Sequence, residues 1–347
     1  MKICMASYPA VSILHGGPNT QLRMTARHLA QYGIDPVLFD PWARFGKESA
    51  GLVHLFAANI GTYHLAREVR DIGIPLVVSP IIFSRHSSNF IRAGLWGTRL
   101  LQGVWKGVWT DYALTADICA WASALLPNTR AEADLLVKGL GVKSNMVHVI
   151  PNGVEERFLV ADPGLFKKTY GLQNFILNVG HIGHERKNVL ALIKALGEID
   201  HPSVIIGRRI SGGYGDACVR EAQKHKQILL LEGLDHESEM LASAYAACDV
   251  FALPSLFETP GIAALEAGLA GAKIVITQTG GTKEYFEGMA VYVDPLSVDS
   301  IKQGILAALQ NPKTTGLREH INKSFLWSRV AEKTAQVYRK VMNTHSA

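Results

Sequence analysis

The 347-residue chain has no apolar run near the roughly 18 residues that a transmembrane helix needs, although its mean hydropathy is positive at +0.12. Cysteine is scarce. The four residues Cys4, Cys119, Cys218 and Cys248 lie far apart without a Cys-x-x-Cys pair, which argues against zinc and redox sites and for reduced thiols in a cytosolic protein. There is no dense basic tract. Lys and Arg total 35 against 30 Asp and Glu, and the formal charge of +5 is too slight to imply nucleic acid. Neither a Walker sequence nor Gly-x-Gly-x-x-Gly occurs, so P-loop and dehydrogenase readings fail. No Asp-x-Asp is present to hold a metal–diphosphate. The first ten residues do not read as a signal peptide but as a first strand.

What is present is a composition of 48% hydrophobic and 19% charged residues, which excludes disorder, collagen and a disulfide scaffold. At roughly 100–200 residues per domain, two domains are expected. Short β-rich runs alternate with helical patterns almost from end to end. Strands are expected at 3–6, 37–39, 53–56, 76–79, 124–126 and 147–150, then at 175–179, 204–206, 228–231, 250–253, 274–277 and 291–293. Helices are expected near 21–32 and 62–72, and Thr129-Arg130-Ala131-Glu132 is a capping box that starts another. This alternation predicts α/β structure: two Rossmann-like domains, each a parallel sheet covered by helices, with a cleft between them. The linker is placed near 160–172, and a final helix near 328–342 stands outside the alternation.

The strongest constellation follows the strand at 250–253. Phe257-Glu258-Thr259-Pro260-Gly261 leads into a small-residue helix that carries Glu266. Pro260 suits a first helical turn, and Gly261 lets a ligand approach the backbone. A helix N-terminus at the end of a parallel strand is a ready anion site. Glu266 is some six residues into the helix, roughly 9 Å along its axis at about 1.5 Å per residue. A phosphate at the helix start leaves Glu266 positioned for a ribose diol, and Glu258 facing whatever lies beyond the phosphates.

The stretch 251–284, with this Glu-x7-Glu pair, Gly280-Gly281 and Glu284, resembles the signature of family-four retaining glycosyltransferases of the GT-B fold, the glycosyl transferases group 1. Val149-Ile150-Pro151-Asn152-Gly153-Val154 is similar to the family's run before the interdomain linker. Asn178-Val179-Gly180 with Arg186-Lys187-Asn188 is similar to its donor-phosphate loop, and His15-Gly16-Gly17 to its N-terminal glycine loop. The resemblance implies two Rossmann-like domains whose sheets face a central cleft: 1–165 for the acceptor, 166–326 for the donor, and 327–347 as a helix crossing back to the N-terminal domain. It further implies that Glu266 binds the nucleotide ribose and Glu258 the donor sugar. Pro260, Gly261 and Ile262 belong to the donor site, the last two through backbone N–H groups, while Lys187 and Arg186 neutralise the leaving diphosphate. Gly180 and His181 stand in the phosphate loop, and Gly16 and Gly17 line the cleft from the other side. The family usually has Arg where His181 stands, and a catalytic histidine where Pro80-Ile81-Ile82 stands, which leaves His86 as the nearest candidate. His181-Ile182-Gly183-His184 also spells a motif of class I aminoacyl-tRNA synthetases, but the Lys-Met-Ser-Lys-Ser-like loop that accompanies it is missing, and the match is read as coincidence.

The segment 83–113 is the most unusual in composition. Arg85, Arg92, Arg99 and Lys106 recur every seven residues, among Trp96, Trp105, Trp109 and several leucines and valines. Two readings stand. The preferred one is a core helix with a basic edge and its tryptophans buried under the N-terminal domain. The other is an interfacial helix on an anionic membrane. Gly94, Gly97, Gly103 and Gly107 weaken any helix there.

The expectation is therefore a metal-independent hexosyltransferase without a cofactor. It takes a nucleoside diphosphate sugar as donor and a glycan or lipid-linked acceptor, in cell-surface polysaccharide, lipopolysaccharide or glycolipid synthesis. Nucleic acid is not expected as a partner. The expected location is cytoplasmic, at the inner face of a membrane contacted through 83–110. A GT-B-fold nucleotide-sugar epimerase, a non-catalytic partner protein that keeps the fold, and an ATP-dependent synthetase are the alternatives.

Overall fold

The computed structural model describes every residue except His15, Arg85, Lys106, Ser346 and Ala347, and the side chain of Leu14. His15 of the glycine loop and two of the heptad-spaced cations thus lie outside the described residues. The chain divides into two compact units: Met1–Gly153 with Trp327–Ala347, and Val154–Leu326.

The first unit is built on strands β1 (Lys2–Ser7), β2 (Asp35–Leu38), β3 (Leu52–Phe56), β4 (Leu76–Ser79) and β5 (Ala124–Leu125). All pair in parallel, in the order β2-β1-β3-β4-β5. Both faces of β3 and β4 are buried, as near-continuous apolar runs demand. Only the edge strand β2, which carries Pro36, is largely exposed. His54 in β3 is a buried exception. Its ring lies 2.5 Å from the Tyr338 hydroxyl and 3.0 Å from Ser79 Oγ. Tyr338 belongs to the last helix, Trp327–His345, which buries Trp327, Val330, Ala331 and Val341 in one cluster with Leu22 and Met24 of the Gly17–Leu29 helix.

The second unit contains β6 (Ile176–Val179), β7 (Ser203–Ile206), β8 (Ile228–Leu231), β9 (Val250–Leu253), β10 (Lys273–Thr277) and β11 (Val291–Val293). Its parallel sheet runs β11-β10-β9-β6-β7-β8. The strand order reverses between β6 and β9, and in open α/β sheets ligands bind beyond the carboxyl ends of the strands at such a switch point.

Three expectations are corrected here. The segment 147–150 is no strand. Val147 makes an isolated bridge to Leu125, and His148 N and Ile150 N donate to Leu125 and Pro127 carbonyls, so the run only extends alongside the two-residue β5. The unit boundary falls ahead of 160–172. Phe158 and Phe166 are buried with Phe175 and Tyr245 in one cluster, and Val154 N donates to Phe325 O at 2.8 Å, so 154–165 packs with the second unit. The tryptophans of the middle segment are not buried. Trp96, Trp105 and Trp109 are 69%, 66% and 56% exposed, because the Ser88–Val104 helix turns Ile91 and Thr98 inward instead. Thr129 does cap a helix: its hydroxyl accepts from Glu132 N at 3.0 Å.

Candidate active site

The loop after β9 presents Glu258. Its N–H donates to Thr279 O, and its carbonyl accepts from Gly281 N at 2.9 Å. Gly280, at φ +107°, lies so close that a Cβ there would stand 1.9 Å from Glu258 O, which explains the glycine. The Glu258 side chain is buried, and Oε1 accepts from Lys187 Nζ at 2.6 Å. Arg186 Nη1 is 3.5 Å from the same oxygen and donates to Phe257 O at 3.1 Å. Burial pushes the Glu258 carboxyl up, but Lys187 and Arg186 more than offset this and hold it below its ordinary value. The carboxylate is therefore ionised at neutral pH.

Gly261, at φ +74°, is the N-cap of the helix Ile262–Leu269. Pro260 therefore precedes the cap and does not occupy the first helical turn as expected. The positive φ explains Gly261, and the first N–H groups after it lie outside the helical ladder. Glu266 is buried within this helix, with both carboxylate oxygens engaged. Oε2 accepts from the Tyr245 hydroxyl at 2.8 Å, and Oε1 lies 2.7 Å from His236 Nε2. The bond to Glu266 raises the His236 pKa, while burial and the neighbouring carboxylate push the Tyr245 phenol well up. His236 is also 3.7 Å from Glu155 through Nδ1, and its carbonyl accepts from Arg157.

The loop after β6 supplies Gly180, His181, Arg186 and Lys187. Its shape is set by Asn188 at φ +56°, whose amide donates to Pro254 O at 3.0 Å and Pro295 O at 2.7 Å. This anchor ties the basic turn Glu185–Lys187 to the loop after β9. A Cβ on Gly180 would be 3.9 Å from Lys187 Cδ, so the two are neighbours. His181 Nδ1 is buried with no partner among the described residues. Burial and the nearby His184, Lys187, Arg208 and Arg186 push its pKa down, so it stands neutral where the family usually carries a cation.

The structure thus joins Glu258, Arg186 and Lys187 directly, with Gly180 and His181 beside them and Pro260, Gly261, Ile262 and Glu266 on the next stretch of chain. Gly16, Gly17 and His86 belong to the other unit. Gly16 is the N-cap of the Gly17–Leu29 helix, and a Cβ on Gly17 would meet nothing within 4 Å. His86 is exposed and stacks on Phe90 at 4.6 Å between centroids. It does not line the cavity of about 620 Å³ beyond β3 and β4, whose walls include Tyr8, Asn59, Ile81, Phe83, Asp111 and Tyr112. Ala57 and Ile81, both on this cavity, hold positive φ of +74° and +54°, a strain that clusters at functional sites.

Sequence reasoning missed Tyr245, His236, Arg157 and Arg208. Arg208 was findable, since it follows β7 as the basic loop follows β6. Tyr245 and His236 carry no local signal, because each reaches Glu266 from a separate loop or helix. Among the described residues, no group of three or more His, Cys, Asp or Glu side chains stands ready to hold a metal ion.

Two α/β units, each built on a parallel sheet, are the architecture of the GT-B fold. Residues 166–324 match the family described as Glycosyl transferases group 1. An uncharacterized glycosyltransferase of Methanocaldococcus jannaschii is 30% identical over 195 residues, covering 51% of this chain and 48% of that protein. The chain spans about half the length of the curated relatives it matches. Sucrose-phosphate synthase from Thermosynechococcus elongatus superimposes with a TM-score of 0.76 at 17% identity, covering 99% of this chain and 100% of that one. Anabaena HepE, solved with UDP and glucose, gives 0.69 at 17% identity, covering 98% and 100%.

Proposed function

We propose that the chain is a retaining glycosyltransferase that moves a hexosyl group from a nucleoside diphosphate sugar to a hydroxyl acceptor, in the synthesis of a cell-surface polysaccharide or glycolipid at the inner face of a membrane. The observation that carries this reading is the Lys187–Glu258 pair beside Arg186, at the switch point of a group 1 domain. In this reading the donor diphosphate takes Lys187, Arg186 and the N–H groups at the start of the Ile262–Leu269 helix, and Glu258 turns to the sugar hydroxyls. Glu266, braced by Tyr245, takes the ribose diol. Positive charge and helix N–H groups stabilise the leaving diphosphate without a metal. Transfer runs by front-face attack through an oxocarbenium-like state, with the leaving phosphate accepting the acceptor proton, and the protein supplies placement and charge. The cavity beside Ala57 and Ile81 receives the acceptor. HepE, solved with UDP and glucose, makes a uridine nucleotide the first donor to try.

The test is turnover with a panel of nucleoside diphosphate sugars and lipid-linked or sugar acceptors, with product stereochemistry read by NMR. The reading expects nucleoside diphosphate release that depends on acceptor, and a retained anomeric centre. Conversion of the donor without any acceptor points to an epimerase and overturns it. So does an inverted product.

A further inference from the structure

The Ser88–Val104 helix is amphipathic in an inverted sense. Ser87 caps its start, with the hydroxyl accepting from Phe90 N at 3.3 Å. Its inward seam is narrow and partly polar: Ile91 and Thr98 are buried, and Leu95 and Gln102 are half-buried. At 3.6 residues per turn, Trp96, Leu100, Ala93, Val104, Phe90 and Leu101 form one continuous arc on the opposite side. That arc faces solvent. Phe90 is 60% exposed, Trp96 69% and Val104 78%, and exposed Trp105 and Trp109 continue it past the helix end. Soluble surfaces rarely gather large apolar side chains this way unless something covers them.

Charge decides what covers them. From Pro80 to Thr110 the sequence contains no Asp or Glu, yet it carries Arg85, Arg92, Arg99 and Lys106. Arg92 and Arg99 flank the apolar arc, and both are exposed. Arg99 is tied to Asp117 and to Gln102, so Arg92 is the more available cation. A second copy docked on this face by two-fold symmetry would set like charges against like, with no acidic side chain from the segment to meet them. Among the described residues no helix is long and apolar enough to cross a membrane, which leaves the helix to lie flat. Aromatic and aliphatic side chains with a cationic, acid-free flank match the interface of an anionic bilayer, where tryptophan has both an apolar body and a polar edge.

We infer that the outward face of the Ser88–Val104 helix, with Trp105 and Trp109, docks the first unit onto an anionic lipid bilayer. This rests on the helix alone and is independent of the glycosyl-transfer reading.

The experiment is co-sedimentation of the full chain with vesicles of phosphatidylcholine, with and without phosphatidylglycerol, alongside tryptophan emission. The chain is expected to pellet with the anionic vesicles, with a blue-shifted emission, and to bind neutral vesicles far more weakly. Arg92→Gln should lower binding to anionic vesicles about fivefold. The triple variant Trp96→Ser, Leu100→Ser, Val104→Ser should lose at least about tenfold at both surfaces. These side chains are exposed, so circular dichroism and thermal midpoint should stay at wild-type values. Failure of the wild-type chain to bind anionic vesicles overturns the inference. Equal binding by the triple variant does so too, and so does a stable dimer that the triple variant dissociates.

Discussion

Replacing Lys187 by Met removes the ammonium 2.6 Å from the buried Glu258 carboxylate and leaves Arg186, at 3.5 Å, as its cationic neighbour among the described residues. With an effective dielectric of about 20, those two attractions are roughly 6 and 5 kcal/mol before desolvation. Arg186 is about half exposed, so solvent screens its share further. Breaking a buried pair costs about 3–5 kcal/mol, and the residual Arg186 contact puts Lys187→Met near the lower end, about 3 kcal/mol. Glu258→Gln keeps the shape but weakens the charge-assisted bond, at about 2 kcal/mol. Independent effects would sum to about 5 kcal/mol. The double variant is expected near 3 kcal/mol instead, a coupling of about 2 kcal/mol, because neither charge is then left alone. The measurement is a four-member cycle of denaturant titrations, followed through the unfolding of the second unit. Turnover is expected to behave differently: it should collapse in both single variants and stay collapsed in the double. Stability effects that add within about 0.5 kcal/mol would refute the coupling. A double variant that regains turnover would show that the pair serves the fold and not the donor.

Acid should weaken the first unit through His54. Burial depresses its pKa from 6.5 to about 3, so the unfolded chain binds the proton first and stability falls as pH drops below 6.5. At pH 5 the loss is about 2 kcal/mol, and His54→Gln should flatten that slope in denaturant titrations at pH 5 and 7.5. Tyr245→Phe deletes one of the bonds holding Glu266 and should raise donor KM about tenfold with kcat nearly unchanged, whereas an equal fall in kcat would deny it a positioning role. Gly280→Ala should destabilise the second unit by about 3 kcal/mol or more, through its φ of +107° and the clash with Glu258 O, while Gly17→Ala should leave the thermal midpoint unchanged.

The fold was legible where short apolar runs left a plain mark. β4, β8, β9 and β11 begin and end where their apolar runs do. The run at 147–150 has a similar composition, but no strand beyond β5 offers it a full ladder, and pairing is a property of the neighbour. Glu258, Pro260, Gly261 and Glu266 were readable together because they sit on one strand–loop–helix passage. The Lys187–Glu258 pair was not, since Asn188 joins the two loops only through bonds to Pro254 and Pro295 carbonyls. The preferred of two readings places the tryptophans at 96, 105 and 109 in the interior. Composition cannot say which side of a helix meets the core, and here Ile91 and Thr98 took that place.

The central claim is that the second unit holds a nucleotide through Glu266. Thermal unfolding of the wild-type chain and of Glu266→Ala with UDP, GDP, ADP and CDP, free and as their sugars, tests it most directly. A ligand at about 100 times its Kd adds roughly 2.7 kcal/mol to the folded state. The account predicts that one nucleotide raises the wild-type midpoint and that Glu266→Ala abolishes the shift. No shift with any nucleotide, or an equal shift in the variant, would contradict it.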